Sequence, residues 1–109
     1  MAELGTLAKN HPNVYIESGW LAYIAPAVYR RAMGEWLDSV PMNKILAFGA
    51  DCLCVEQTYG ALLLTRRLLA QTLSEKIAHD GWTARLAEEV ARRVLRQNAV
   101  DLYHLDVKA

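Results

Sequence analysis

Apolar residues recur at helical spacing along most of this chain, but two short stretches break that rhythm. Val14-Tyr15-Ile16-Glu17-Ser18-Gly19-Trp20 is rich in β-branched and aromatic residues and predicts a strand. In Lys44-Ile45-Leu46-Ala47-Phe48-Gly49-Ala50-Asp51 the segment from Ile45 to Gly49 is uncharged, as suits a strand buried on both faces. Between the two, Ala25, Val28, Tyr29, Ala32, Met33, Trp36 and Leu37 mark a helix from about Ile24 to Asp38, with Pro26 tolerated in its first turn. Ser39 to Asn43 reads as a loop. Strand, helix and strand in this order make a βαβ unit with parallel strands.

The rest of the chain is helical. Met1 to Lys9 supports about two turns before Asn10-His11-Pro12-Asn13 breaks them, and it reads as the tail of a longer helix. A long helix is predicted from about Val55 to His79, with Leu62, Leu69, Leu73 and Ile77 as its inner stripe, flanked by Leu63 and Leu68. Asp80-Gly81 closes it, and Thr83 is placed to cap the next helix. From Ala84 to about Asn98, Leu86, Ala87, Val90, Ala91, Val94 and Leu95 share one stripe, and charged residues fill the other. Glu88 and Glu89 each stand four residues before an arginine, Arg92 and Arg93, and can support the helix as ion pairs. Asn98 to Leu105 continues helical after a short break.

Composition narrows the classes of function. The chain has 109 residues, 53% hydrophobic and 22% charged, which suits one globular domain at most. Twelve basic residues balance twelve acidic ones, so no overall field draws nucleic acid or an anionic membrane. Arg66-Arg67 and Arg92-Arg93 are too sparse for a nucleic-acid surface. The apolar runs are too short to span a bilayer, and Met1-Ala2-Glu3 lacks the character of a signal peptide. Cys52 and Cys54, two apart and the only cysteines, exclude a disulfide framework and a four-ligand zinc site. A cytoplasmic protein is expected.

Gly49 and Ala50 thin the chain where it leaves the second strand, and Asp51 falls at that strand's carboxyl end. In parallel α/β folds, ligands bind and catalytic side chains project at that edge. Both strands have the character of central strands, yet their outer neighbours are absent, which is the composition of the end of a larger barrel. The segments HPNVYIESGWL, VPMNKILAFGADCLCVEQTYGALLLTRRLLAQTLSEKI and WTARLAEEVARRVLRQNAVDLYHL together resemble the carboxyl-terminal part of an amidohydrolase-superfamily protein. The resemblance is to the metal-dependent hydrolases of the amidohydrolase-related (ACMSD-like) branch, and within it to the amidohydrolase portion of glutamine-synthetase fusion proteins. A strand ending in Gly-x-Asp, a helix opening Val-Glu-x-x-Tyr-Gly and a final helix closing Asn-Ala-x-x-Leu-Tyr carry it, over about Leu7 to Leu105.

This resemblance implies an α/β fold: residues 1–109 as a partial amidohydrolase-related domain, the C-terminal fragment of a (β/α)8 TIM barrel with the last two strands and surrounding helices. Val14 to Trp20 would be strand seven and Lys44 to Phe48 strand eight. Asp51 would match the family's aspartate after strand eight, which binds a divalent metal, often zinc, or accepts a proton from the water that the metal activates. The family's His-x-His pair and its ligands from middle strands have no counterpart here, and His11, His79 and His104 are not spaced for those roles. A catalytic zinc takes three protein ligands, so tight metal binding by this chain alone is not expected.

Each candidate has a plainer reading. Asp51 is also placed to cap the helix that follows. Glu17 either points into the barrel mouth to bind substrate or is a polar residue paired with a neighbouring strand. Trp20 forms a substrate wall or packs. His11 lies on the face of such barrels that serves stability, His79 sits at a helix end that favours a cation, and His104 is solvated. Cys52 and Cys54 are small hydrophobes with no base partner in view.

Two functions follow as expectations. One is part of a metal-dependent hydrolase acting on a C–N bond of amide type in a small-molecule substrate, inactive as an isolated chain; decarboxylation and uronate isomerisation also occur among relatives. The other is a non-catalytic remnant or subunit fragment that self-associates through exposed strand edges.

Overall fold

The computed structural model describes residues 1–107, and helix dominates them. Helix α1 (Ala2–Asn10) leads to strand β1 (Ile16–Glu17), short helix α2 (Leu21–Ile24) and α3 (Pro26–Ser39). A single 3₁₀ turn (Met42–Lys44) precedes β2 (Ile45–Leu46). Helices α4 (Val55–His79) and α5 (Ala84–Arg92) follow, then a π-helical turn (Arg93–Gln97) and α6 (Asn98–Tyr103). The two strands pair in parallel, Ile16 beside Ile45 and Glu17 beside Leu46.

Local chemistry explains these boundaries. Pro26 opens α3, its missing N–H being one the helix start leaves unpaired anyway. The Thr83 hydroxyl accepts a hydrogen bond from Leu86 N–H and caps α5. Gly81, at φ 73°, turns the chain back after α4 so that Trp82 N–H reaches the Lys76 carbonyl. Ile16, Tyr29, Met33, Trp36, Ile45 and Leu69 form the fully buried centre, in which α3 bridges the strands and α4.

The expected barrel fragment is overturned. The chain is a helical domain with a two-stranded parallel sheet, and the reason lies at the outer edge of β2. Where a barrel would place the next strand, the π-helical turn and α6 pack instead. The wider π turn leaves the Val94 carbonyl to accept from Ala47 N–H at 2.9 Å, just past β2. Asn98, buried at the start of α6, donates its amide to the Ile45 carbonyl at 2.9 Å and to the Met42 carbonyl at 2.6 Å. A helix thus satisfies backbone groups that a neighbouring strand would otherwise take. On the other side, the buried Lys44 ammonium donates to the Ala8 and His11 carbonyls and ties the end of α1 to the sheet. The Cα radius of gyration, 13.6 Å, is close to the roughly 13 Å of a self-contained domain of this length.

Other expectations need smaller corrections. The strands occupy the two predicted stretches but hold ladder geometry for only two residues each. The predicted break near Asn98 is a π-helical turn just before it, with no interruption of helix. Arg92 pairs with Glu89 rather than Glu88, and Arg93 joins the same carboxylate at 2.7 Å. The buried stripe of α4 is Ala61, Thr65, Leu68, Leu69, Thr72, Leu73 and Lys76, while Leu63 and Ile77 face outward.

Candidate functional site

Both strands run the same way, so their carboxyl ends open on one side of the molecule. There the chain leaves β1 through Ser18-Gly19-Trp20 and β2 through Ala47 to Asp51. Ser18 locks these exits together: its N–H donates to the Leu46 carbonyl at 3.0 Å and its hydroxyl to the Ala47 carbonyl at 2.8 Å. The buried Tyr29 hydroxyl donates to the same Ala47 oxygen at 3.1 Å. Burial pushes the Tyr29 phenol far above its ordinary pKa, so it stays a donor at any physiological pH.

The exits border a concave face of about 730 Å³, within the range of small-molecule sites. Its floor is apolar, with Leu46, Phe48, Val94 and Leu95, and its rim carries Glu17, Trp20 and Asp51. The structure therefore brings the three residues singled out from the sequence onto one cavity.

Each rim residue has a definable setting. Glu17 pairs beside Leu46 of β2 through its backbone, while its exposed side chain turns back so that the carboxylate accepts from Gly19 N–H at 2.9 Å. Gly19, at φ 52°, provides the left-handed turn that brings its amide there. Trp20 caps α2 by position and keeps nearly half of its surface open to the cavity side. Asp51 does not cap α4: the N-cap residue is Cys54, and Gln57 accepts from Leu53 N–H instead. Asp51 is exposed, makes no hydrogen bond among the described residues, and holds φ 43°. Asp tolerates that region better than most residues, yet it remains a strained conformation.

Tyr23 escaped the sequence reading, and Cys52 was read there as a small hydrophobe. Tyr23 donates to the Ala50 carbonyl at 3.2 Å, and the Cys52 thiol donates to the same oxygen at 3.2 Å. Desolvation raises the Tyr23 pKa, and the adjacent Cys52 and Asp51 raise it further. Nothing in local spacing ties Tyr23 to Ala50, 27 positions on. Cys52 is half-buried and Cys54 exposed, neither in a disulfide.

His11 and His79 are exposed at helix ends, and His104 sits exposed at φ 52° just after α6. None of them lines this cavity. Among the described residues no three His, Cys, Asp or Glu side chains gather in a group able to hold a metal ion. Asp51 and Glu17 alone do not fit a catalytic zinc, which takes three protein ligands. None of the described helices is long and apolar enough to cross a membrane. Compared with known families and with curated proteins, the chain matches no family model and no curated protein.

Proposed function

We propose that this chain supplies part of a hydrolase site for C–N bonds of amide type, with Asp51 as the proton acceptor. The observation that carries the reading is Asp51 itself: a strained, exposed carboxylate without a hydrogen-bond partner among the described residues, at the carboxyl rim of β2 and on a cavity of about 730 Å³. Strain kept at such a position favours a functional over a structural role. The motif resemblance to amidohydrolase-related enzymes supports the choice of reaction.

In this reading the apolar floor receives the body of a small substrate and Trp20 forms one wall. Glu17, already accepting from Gly19 N–H, holds a donor group of the substrate. Asp51 takes a proton from the attacking water and returns it to the leaving nitrogen. The residues that would complete the site come from other polypeptide, so activity is a property of the assembled protein. The two unbridged thiols support a reducing, cytoplasmic setting.

The test is turnover of a panel of linear and cyclic amides by the protein in the form its own cells produce. Asp51→Asn should lower kcat by about 10²–10⁴-fold with little change in KM. Undiminished turnover in that variant would remove Asp51 from the reaction.

A further inference from the structure

We infer that the outer face of α4 is a self-complementary interface on which a second copy of this chain docks antiparallel. This inference is independent of any role for Asp51. The first turns of α4 and the outer face that continues from them carry exposed apolar residues, whereas Ala61 and Thr65 on the inner face are buried. Leu53 is 101% exposed, Val55 81%, Tyr59 63% and Leu63 47%, and all sit on or just before that stretch. From Val55 to Leu64 the only charged residue is Glu56. An isolated exposed leucine needs no explanation, but a contiguous apolar strip on one helix does.

Gly60 adds an independent indication. It lies inside the helix, and a Cβ placed there would meet nothing within 4 Å. Glycine weakens a helix interior, and among the described residues nothing makes use of the gap it leaves. A partner helix would, because a missing side chain lets a knob from the facing helix settle closely.

The pattern of charge selects the occupant. Glu56, Gly60, Leu63 and Arg67 follow one another at spacings of three and four on the face opposite the buried stripe. Among the described residues neither Glu56 nor Arg67 forms an ion pair. Turning a second copy by a two-fold axis midway between Gly60 and Leu63 sets Leu63 of each copy on Gly60 of the other. The same operation sets Glu56 of each opposite Arg67 of the other. A two-fold interface requires this reciprocity, and here both the shape and the charge comply. Leu53, Val55 and Tyr59 flank the crossing and extend its apolar surface on both sides. Area does not set affinity; for a strip with one aromatic anchor and exposed ion pairs the expected dissociation constant is on the order of 10 μM.

Sedimentation equilibrium of the purified chain between about 5 and 500 μM tests this, spanning the predicted constant. A monomer–dimer equilibrium is expected. Leu63→Glu should abolish it, with the helical circular dichroism unchanged. Glu56→Arg alone and Arg67→Glu alone should each weaken association roughly tenfold, since each creates two like-charge contacts. The double variant should recover to within about threefold of the original, because the pairs re-form with reversed sign. A chain monomeric at the highest concentration overturns the proposal and leaves the strip to a different partner. A dimer indifferent to Leu63→Glu, or a double charge variant no better than the singles, overturns it equally.

Discussion

The carboxylate of Glu17 lies directly across the α-carbon of Gly49, so closely that a Cβ at Gly49 would overlap it. One residue from each strand exit therefore meets over the rim of the cavity, and the absence of a side chain on one decides where the other sits. Gly49 is not in the left-handed region, so alanine fits its backbone. The atom displaced is the far end of an exposed side chain, which can swing away cheaply. Gly49→Ala should cost less than about 1 kcal/mol of stability while expelling Glu17 from the Gly19 amide. A large change in the Gly19 N–H chemical shift, with an almost unchanged urea midpoint, is the expected outcome. An unmoved Gly19 resonance would show that Glu17 does not hold this position in solution.

Asp51 offers a second test, in which stability and function should move in opposite directions. Glycine relieves the left-handed backbone at φ 43°, so Asp51→Gly should stabilise the fold by up to about 1 kcal/mol. Asn tolerates the same region, so Asp51→Asn should leave stability within about 0.5 kcal/mol of the original. Loss of turnover in both variants, with the glycine form the more stable, is the pattern expected of a residue retained for chemistry. Destabilisation by Asp51→Gly would mean that the carboxylate serves the fold.

The Ala47 carbonyl is held by two donors, the Ser18 and Tyr29 hydroxyls, and this makes their loss non-additive. Removing either leaves the oxygen with one partner, so Ser18→Ala or Tyr29→Phe should cost about 0.5–1.5 kcal/mol. Removing both strands a buried acceptor. The double variant should exceed the sum of the singles by about 1 kcal/mol in a double-mutant cycle read by chemical denaturation. Strict additivity would show that water reaches this carbonyl.

How much of this was legible in the residues depends on how local each cause is. The end of α4 at His79 follows from punctuation nearby, in Asp80-Gly81 just after it. Both strand sites showed in β-branched and uncharged runs. Their neighbours did not, because what covers β2 is a carbonyl freed at Val94 and an amide at Asn98, some fifty residues downstream. Leucine spacing alone could not tell which face of α4 is inner. The buried stripe includes Thr72, whose hydroxyl returns to the Leu68 carbonyl, and Lys76, whose charge is met by Asp38 from another helix. Glu17, Trp20 and Asp51 were visible as rim residues of a parallel sheet. Tyr23 was not, since its tie to Ala50 exists only once the chain has folded.

Lys76 gives a pH dependence whose sign can be worked out. Its ammonium is buried, which by itself disfavours the charge, but hydrogen bonds to Asp38 at 2.5 Å and Asp80 at 2.9 Å prevail, and its pKa rises above the ordinary 10.5. A folded-state pKa above the unfolded one means that the contribution is complete below pH 10.5 and disappears as pH climbs through the folded value. Both carboxylates are about half exposed and can be rehydrated, so Lys76→Met should cost only about 1–2 kcal/mol at neutral pH. Its urea midpoint should converge on that of the unaltered chain in strongly alkaline buffer. Glu89 behaves oppositely. Hydrogen bonds from Arg92 and Arg93 lower its pKa below 4.5, so its contribution is present above 4.5 and fades as pH falls through the folded value. A Lys76→Met difference that persisted unchanged at high pH would assign the effect to packing of its stem.

Asn98 is the residue on which the departure from a barrel rests, and its replacement should show this most clearly. Its amide serves two buried carbonyls at the outer edge of β2, those of Met42 and Ile45. Asn98→Ala strips the donor from both and opens a small gap beside the sheet, for an expected loss of about 2–4 kcal/mol. Asn98→Asp should be worse, because it turns a carboxylate toward the same two oxygens in a buried site. Hydrogen exchange locates the damage: the Ala47 amide, bonded to the Val94 carbonyl, should lose protection far more than the amides of α4. Uniform loss across the chain would mean that Asn98 stabilises the domain as a whole, and the helix would then have no special part in closing the edge of β2.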